Sequence, residues 1–377
     1  MFKKLRQLID IAKNAMKQKG VGRKIKYMQY AMLAKKNGVI SFRIDRIAKE
    51  YADSYYDCPN VTTAEKKWFA EKGYGAYKIN WYGMTHENCK DFISDFVFYN
   101  RKNYANKKFD TWFDNKLTTY YLLAPFKKNM PSHYFYKDGN KLYSLTGQDK
   151  ADIDNVLLLA KEKELALKST TGGHGQGFYK MEYSNGSYLF NGKAHSKEQA
   201  KELINSLSDY IITDYERPHH LFEDLCGKNT FAVIRLYMIN DETDGPQLIA
   251  SHIRLGSKGA GYATDFKGTI YCGIDLNSGS LFRPIYMENG YEYIYLDKHP
   301  DTKNTLDGVQ IPNWDSLKKL GADISVFLPM TPYLVMDVIP KEDGFSVLEI
   351  NSHGKFTTTE PFYPIMKNKY AKKMFKE

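Results

Sequence analysis

The chain has 377 residues, 42% hydrophobic and 26% charged, with 54 Lys plus Arg against 44 Asp plus Glu and a formal net charge of +10. One core rarely grows past about 250–300 residues, so two or three packed lobes are expected; no run of 18 apolar residues is present, which excludes a conventional membrane-spanning helix. Cys58, Cys89, Cys226 and Cys272 lie far apart without a CxxC pair, which excludes a disulfide framework or zinc ribbon and fits a reducing cytoplasm.

The basic excess predicts attraction to something anionic: nucleic acid, acidic polysaccharide, a phosphorylated substrate or a membrane surface. An aromatic share of 15%, led by 30 tyrosines, suits stacking on sugars or bases as well as ordinary packing. At the N-terminus, Phe2, Leu5, Leu8, Ile9, Ala12 and Met16 fall near one face of a helix, with Lys3, Lys4, Arg6, Lys13 and Lys17 around it. That pattern suits either an anionic membrane surface or a docking helix with a solvated basic face.

Residues 1–110 read as a mainly helical region, through segments such as ISFRIDRIAKEYADSYY and HENCKDFISDFVFYNR. The character changes near residue 111. A helical stretch, WFDNKLTTYYLL, runs to a break at Met130-Pro131, followed by short strands in SHYFYKDG and NKLYSL. A helix is expected in DKADIDNVLLLAKEK, capped by Asp152 or a neighbour. Then ELALKS alternates as a strand, TTGGHGQG is a loop, and GFYKMEY with SYLFNG forms a hairpin about SNG. A helix in SKEQAKELINSLS and a strand in DYIITDY close a first lobe at about residues 111–210. Residues 211–377 form a second lobe, strand-rich in TFAVIRLYMI, PQLIASHIRLG, GTIYCGIDL, YLVMDVI and FSVLEIN. Helices mixed with hairpin-linked strands indicate an α+β fold.

Two constellations carry chemistry. Lys168 precedes a loop containing Gly172, Gly173, His174, Gly175 and Gly177. Glycines let backbone N–H groups approach phosphate oxygens, and a lysine beside them adds a point charge. The Walker and dinucleotide patterns both need a following helix, whereas strand-like sequence flanks this loop. A strand–glycine loop–strand is a flap over nucleotide phosphates, or else a plain glycine-rich hairpin. The protein-kinase version is excluded by the absence of HRD and DFG partners.

The second constellation is Asp337, Glu349 and Asn351. PKEDG marks a turn between their strands. Glu349 and Asn351 are two apart and share a face, and a hairpin symmetric about Asp343 puts Asp337 opposite Glu349. Two carboxylates and an amide oxygen make a hard-oxygen site for one or two Mg²⁺ ions, unless they are ordinary polar groups on a solvated sheet.

A lysine–glycine flap followed by Asp…Glu-x-Asn on adjacent strands resembles the ATP-grasp superfamily over residues 111–360. The resemblance implies two α+β lobes clamping ATP behind a helical N-terminal region. It makes Lys116, in DNKL, an earlier ATP-binding lysine, although the usual Asp-Lys is stretched to Asp114-Asn115-Lys116. It also puts Asp214, Tyr215 and Glu216 at an adenine-holding hinge, with Glu223 or Asp224 at the ribose. HPDTKNTLDGVQIPNW, followed by Asp337 and LEIN, is similar to the sugar-transfer-associated branch, which accompanies bacterial surface-polysaccharide assembly.

That branch implies an ATP- and Mg²⁺-dependent carboxylate–amine ligase acting through an acyl phosphate. Its partners would be a small amine such as an amino acid and a uronic acid of an acidic glycan. The expected place is the cytoplasm, at the inner face of the membrane if the N-terminal helix binds lipid. Some ligases of the superfamily carry Arg where this chain has Val335, so Arg235 and Arg254 become the catalytic candidates, with Lys258 in the SKGAG loop. His353 and Lys355 follow Asn351 and would line the acceptor side, and His299 is either a substrate contact or a turn histidine. His219-His220 lacks an accompanying Cys or acidic pattern for zinc. The alternatives are an ATP-grasp kinase of a small molecule or sugar and a non-catalytic glycan-binding protein of the same fold; a nucleic-acid binder lacks a recognisable module.

Overall fold

The structure, a computed structural model, describes residues 2–100, 105–147, 151–172, 177–228, 230–257, 268–287 and 293–375. It divides into two compact units, one of residues 1–107, 287–294 and 355–377 and the other of residues 108–286 and 295–354.

The first unit is helical: α1 (Phe2–Met16), α2 (Val21–Lys36), α3 (Ser41–Asp57), α4 (Thr63–Glu71), α5 (Ala76–Tyr82) and α6 (Asp95–Phe98). Local signals set several ends. Thr62 and Glu65 form a reciprocal capping box at α4, and Gly83, at φ 58°, ends α5 in the left-handed region. The C-terminal segment, expected in the second lobe, packs here instead. Phe356 and Phe375 close on Phe98 with ring centroids 5.8 and 5.5 Å away, and Lys355 pairs with Glu50 at 2.8 Å.

The second unit begins with α7 (Lys116–Leu122) and the strands β1 (His133–Asp138) and β2 (Lys141–Ser144). Next come α8 (Ile153–Glu162), β3 (Leu165–Ser169), β4 (Tyr179–Ser184), β5 (Ser187–Phe190), β6 (Lys193–His195), α9 (Lys197–Ser206) and β7 (Tyr210–Asp214). Then follow α10 (His220–Cys226), β8 (Ala232–Asp241), β9 (Gly245–Gly256), β10 (Thr269–Ile274) and β11 (Leu281–Met287), while β12 (Tyr293–Tyr295) begins in residues 287–294 of the first unit. The last are α11 (Trp314–Phe327), β13 (Tyr333–Lys341) and β14 (Gly344–Asn351), before α12 (Lys369–Met374) in the first unit. Asp152 caps α8 through a 2.8 Å bond from the Asn155 N–H, as the sequence suggested.

Two antiparallel sheets organise these elements. One runs β2-β1-β7-β3-β4-β5-β6 and the other β12-β11-β10-β9-β8-β13-β14. Val156, Ala160, Ala200 and Ile204 of α8 and α9 pack on the first sheet with Leu165, Leu167 and Ile212. Leu317, Leu320 and Ile324 of α11 cover one face of the second, against Leu236, Met238 and Leu334. The opposite face carries Arg235 and Asp337 beside a small apolar cluster of Phe231, Val233 and Ile339.

The β13–β14 hairpin positions most of that chemistry. Its two-residue turn pairs Lys341 with Gly344, which in a regular ladder would set Asp337 opposite Leu348 and Glu349 opposite the buried Met336. A β-bulge between Asp337 and Val338 inserts one residue on β14 and brings Asp337 opposite Glu349. The expected pairing is present, but the bulge produces it rather than a turn centred on Asp343.

Candidate functional site

Residues opposed across antiparallel strands point to the same face. Glu349 faces Asp337, Asp337 faces Arg235, and Arg235 faces His252. One polar row therefore crosses β14, β13, β8 and β9. Within it, Arg235 donates from Nε and Nη2 to the two Asp337 oxygens, each at 2.6 Å. Arg254, on β9, adds a 2.8 Å contact to Oδ2. Burial alone would disfavour the Asp337 charge; the two guanidiniums override it and hold the carboxyl well below the usual carboxylate range. Burial, with Arg235 and Arg254 close by, drives the His252 imidazole far below its ordinary value, so the ring is neutral.

Glu349 and Asn351 lie on the same face, and neither forms an ion pair or side-chain hydrogen bond among the described residues. The arginines expected to serve in place of one at Val335 are therefore gathered on Asp337. Val335 itself lies under Gly354, where a Cβ would meet Val335 Cγ2 at 2.6 Å.

The first sheet contributes lysines. Lys168, next to last in β3, lies in a setting where burial, then Lys116, lowers its ammonium to about 8, while Glu349 and Glu216 partly offset them. Its nitrogen makes no hydrogen bond or ion pair among the described residues. Lys116 opens α7, whose N-cap is Asn115, accepting from the Leu117 and Thr118 N–H groups at 2.9 and 3.2 Å. The extra residue in Asp114-Asn115-Lys116 is thus a helix cap. The Lys116 N–H donates to Thr170 O at 2.8 Å and its Nζ to Gly172 O at 3.0 Å, which ties α7 to the start of the glycine loop. Burial, then Lys168, pushes the neighbouring His133 imidazole down to about 3, and Tyr120 stacks on it at 4.0 Å.

Gly172 and Gly177 both have positive φ, 89° and 70°. Gly173, His174 and Gly175, and likewise Lys258, lie outside the described residues. At the hinge, Asp214 turns to the Tyr134 hydroxyl at 2.9 Å and Lys163 at 3.4 Å. Glu216 turns toward the β13–β14 hairpin, accepting from Ser346 Oγ at 3.1 Å and pairing with Lys341 at 3.2 Å. Tyr215 lies between these and carries Lys180 5.0 Å above its ring. Glu223 meets Arg217 at 3.3 Å.

Lys180, Glu164 and Arg217 were not singled out from sequence. Lys180 is buried, with Glu164 at 2.7 Å and Glu182 at 2.9 Å, and Arg217 also holds Glu164 at 2.7 Å. Burial opposes the Glu164 charge, but Arg217 and Lys180 keep its carboxyl down at about 2. The one signal available was position: Lys180 follows the glycine loop by three residues, and Glu164 immediately precedes β3, the strand before that loop.

The acceptor-side candidates have other partners. Lys355 belongs to the helical unit, where its Nζ is committed to Glu50. His299 is fully buried; its Nε2 meets Gly256 O at 3.1 Å and its Nδ1 accepts from the Asp301 and Thr302 N–H groups, as a turn histidine does. His353 stays half-buried at the end of the second unit. His219 and His220 acquire an acidic neighbour that sequence spacing hid, with Glu342 at 3.4 and 2.9 Å. Their ligand atoms lie within 4.8 Å of one another. However, His219 Nδ1 accepts the Leu221 N–H at 3.1 Å, so in the neutral ring Nε2 carries the proton and has no lone pair for a metal. Glu342 also accepts the His220 N–H at 2.6 Å, and the cluster clamps the start of α10 to the hairpin tip.

The donor set of Asp337, Glu349 and Asn351 fits a hard divalent cation, and the two partnerless members are ready to ligate. Lys116 and Lys168, as ammonium point charges, fit phosphate oxygens. A family model described as sugar-transfer associated ATP-grasp matches residues 97–360. No curated protein matches the sequence. Among solved structures, the chain is similar to D-alanyl-alanine synthetase A from Vibrio cholerae O1 biovar eltor, at 12% identity and TM-score 0.36 over 68% of this chain and 60% of that one. It is also similar to an L-amino acid ligase from Bacillus licheniformis, at 8% identity and TM-score 0.34 over 64% and 40%. A D-alanine–D-alanine ligase from Bacillus anthracis gives 11% and 0.32 over 63% and 56%. The chain thus spans about half the length of the structures it matches.

Proposed function

This chain belongs to the sugar-transfer-associated ATP-grasp family, and from that membership we propose that it is an ATP- and Mg²⁺-dependent carboxylate–amine ligase. Its acceptor is a uronic acid carboxylate of a bacterial capsular or surface polysaccharide, and its second substrate is an amino acid or other small amine. The observation that carries this reading is the meeting of two kinds of group within one unit: Lys168, electrostatically coupled to Lys116 and Glu349, and the Glu349–Asp337–Arg235 row.

In this reading Lys116 and Lys168 hold phosphate oxygens, while Asp337, Glu349 and Asn351 hold the metal. When bound, magnesium–ATP supplies the phosphoryl group and the charge neutralisation that its transfer needs. The acceptor carboxylate attacks the γ-phosphorus with loss of ADP; the amine then attacks the acyl carbon, and inorganic phosphate leaves. Asp337 Oδ1 accepts one arginine bond and Oδ2 meets two, so Oδ1 keeps a lone pair through which the carboxylate would ligate the metal while still paired with arginine. The guanidinium N–H groups of Arg235 and Arg254 not directed at Asp337 would serve the transferring phosphoryl group and the tetrahedral oxyanion.

The test crosses amino acids and other small amines with uronic-acid glycans, reading ADP release and product mass. ADP formation that needs both partners, with an amide product, is expected. ADP formation with a phosphorylated product and no amine requirement would make the protein a kinase. No Mg²⁺-dependent turnover with any pair, in a folded protein that also fails to bind ATP, would overturn the reading.

A further inference from the structure

The whole of the chain's net charge resides in its first two helices and the turn between them. Residues 1–36 hold eleven of the 54 basic side chains and one of the 44 acidic ones, so residues 37–377 carry 43 of each. These helices also turn strong aliphatics outward. On α2, the buried side is built from Tyr27, Tyr30, Ala31 and Ala34, packed toward α3. Val21, Ile25, Met28 and Met32 recur at i, i+4, i+7 and i+11, one stripe along the helix, and are 43–73% exposed. On α1, Ile11 and Ala15 are buried, whereas Ile9, Ala12 and Met16, members of the face expected to be apolar, are exposed.

An ordinary surface helix turns its aliphatics to the core, and a contiguous exposed row marks an interaction surface. The charges sort the same way. Arg23, toward α3, pairs with Asp53 and Asp57, and Lys26 lies over the Tyr55 ring. Lys24, Lys35 and Lys36 border the aliphatic stripe and form no ion pair among the described residues.

We propose that α1 and α2 form a docking surface for a bilayer containing anionic phospholipid. The aliphatic stripe enters the boundary between headgroups and acyl chains, and the lysines beside it meet headgroup phosphates. A second copy of the chain would set one positive face against another. A nucleic acid or acidic polysaccharide would satisfy the lysines and leave the stripe in water. Association is peripheral, since no helix among the described residues is long and apolar enough to cross a membrane.

The experiment is co-sedimentation of the full-length protein with phosphatidylglycerol–phosphatidylcholine vesicles and with phosphatidylcholine alone, across a salt series. Nucleotide is omitted, so the outcome is independent of the ligase assignment. Binding to the anionic vesicles only, weakening with salt, is expected. Each of Lys24→Gln, Lys35→Gln and Lys36→Gln should cut partitioning about fivefold. The exposed triple variant Ile25→Ser, Met28→Ser, Met32→Ser should lose at least about tenfold at low salt, with unchanged thermal unfolding. Equal binding to neutral vesicles, no binding to either, or an unaffected triple variant would overturn the proposal. So would a wild-type dimer that the triple variant makes monomeric without any vesicle binding, which would assign the stripe to self-association.

Discussion

Asp337 and Arg235 face each other on neighbouring strands and join through two parallel hydrogen bonds of 2.6 Å, a fork-on-fork pairing that Arg254 reinforces from the next strand. The carboxylate therefore serves two ends, as counter-ion to two buried guanidiniums and as a candidate metal ligand.

Replacing Asp337 by Ala should damage both. Two arginines would be left without their shared counter-ion, and losing one partner of a buried pair costs about 3–5 kcal/mol. Chemical denaturation should report that loss, together with loss of Mg²⁺-dependent ATP turnover. Stability within about 1 kcal/mol of wild type would show that water reaches the arginines freely.

Glu349 should separate the two roles. It forms no ion pair or side-chain hydrogen bond among the described residues, so Glu349→Gln should shift stability by no more than about 0.5 kcal/mol. ATP turnover should nonetheless fall by at least about a hundredfold, with the steepest loss at low Mg²⁺. Turnover that titrates with Mg²⁺ as in wild type would remove Glu349 from the metal site.

Lys168 predicts a pH signature. Its ammonium, lowered to about 8, is charged below that pH and neutral above it in the free protein, while a bound triphosphate would draw the value back up. ATP binding should therefore take up a proton between pH 8 and about 10, and affinity should fall as pH rises through that window. Calorimetry in buffers of different ionisation enthalpy measures the uptake. Lys168→Arg should abolish it, because guanidinium does not titrate there.

Glu360 predicts a stability profile in the helical unit. Burial raises its carboxyl to about 8, against the opposing pull of Lys78, while Oε1 accepts the Ile93 N–H at 2.6 Å. The folded chain thus keeps a proton that the unfolded chain has lost. Unfolding free energy should decline as pH rises from about 4.5 to 8, by on the order of 3–5 kcal/mol from this group. Glu360→Gln should flatten that decline in urea titrations; an unchanged slope would place its origin elsewhere.

Sequence revealed most where chemistry and local structure coincide. Glycine, proline and alternation located the strands around Lys168 and the hairpin carrying Asp337, Glu349 and Asn351, because turn residues and period-two patterns are local properties. Pairings made by non-local register were hidden. Nothing near residue 337 signals that its partners are Arg235 and Arg254, and nothing near His219 points to Glu342. Lys355 and His299 looked available because they neighbour motif residues, whereas Glu50 and the turn after His299 occupy them. The tail's place beside Phe98 depends on aromatic packing over a long sequence separation, which has no periodic trace.

The extra residue on β14 gives the hairpin a form of tolerance. Alignment of the Asp337 and Glu349 side chains depends on the sum of tip length and bulge, not on either alone. A tip lengthened by one residue with a straightened strand would leave Glu349 across from Asp337. The Glu342–Asp343 tip can therefore be redesigned independently of the face that carries Asp337 and Glu349, provided that the anchor to His220 is rebuilt.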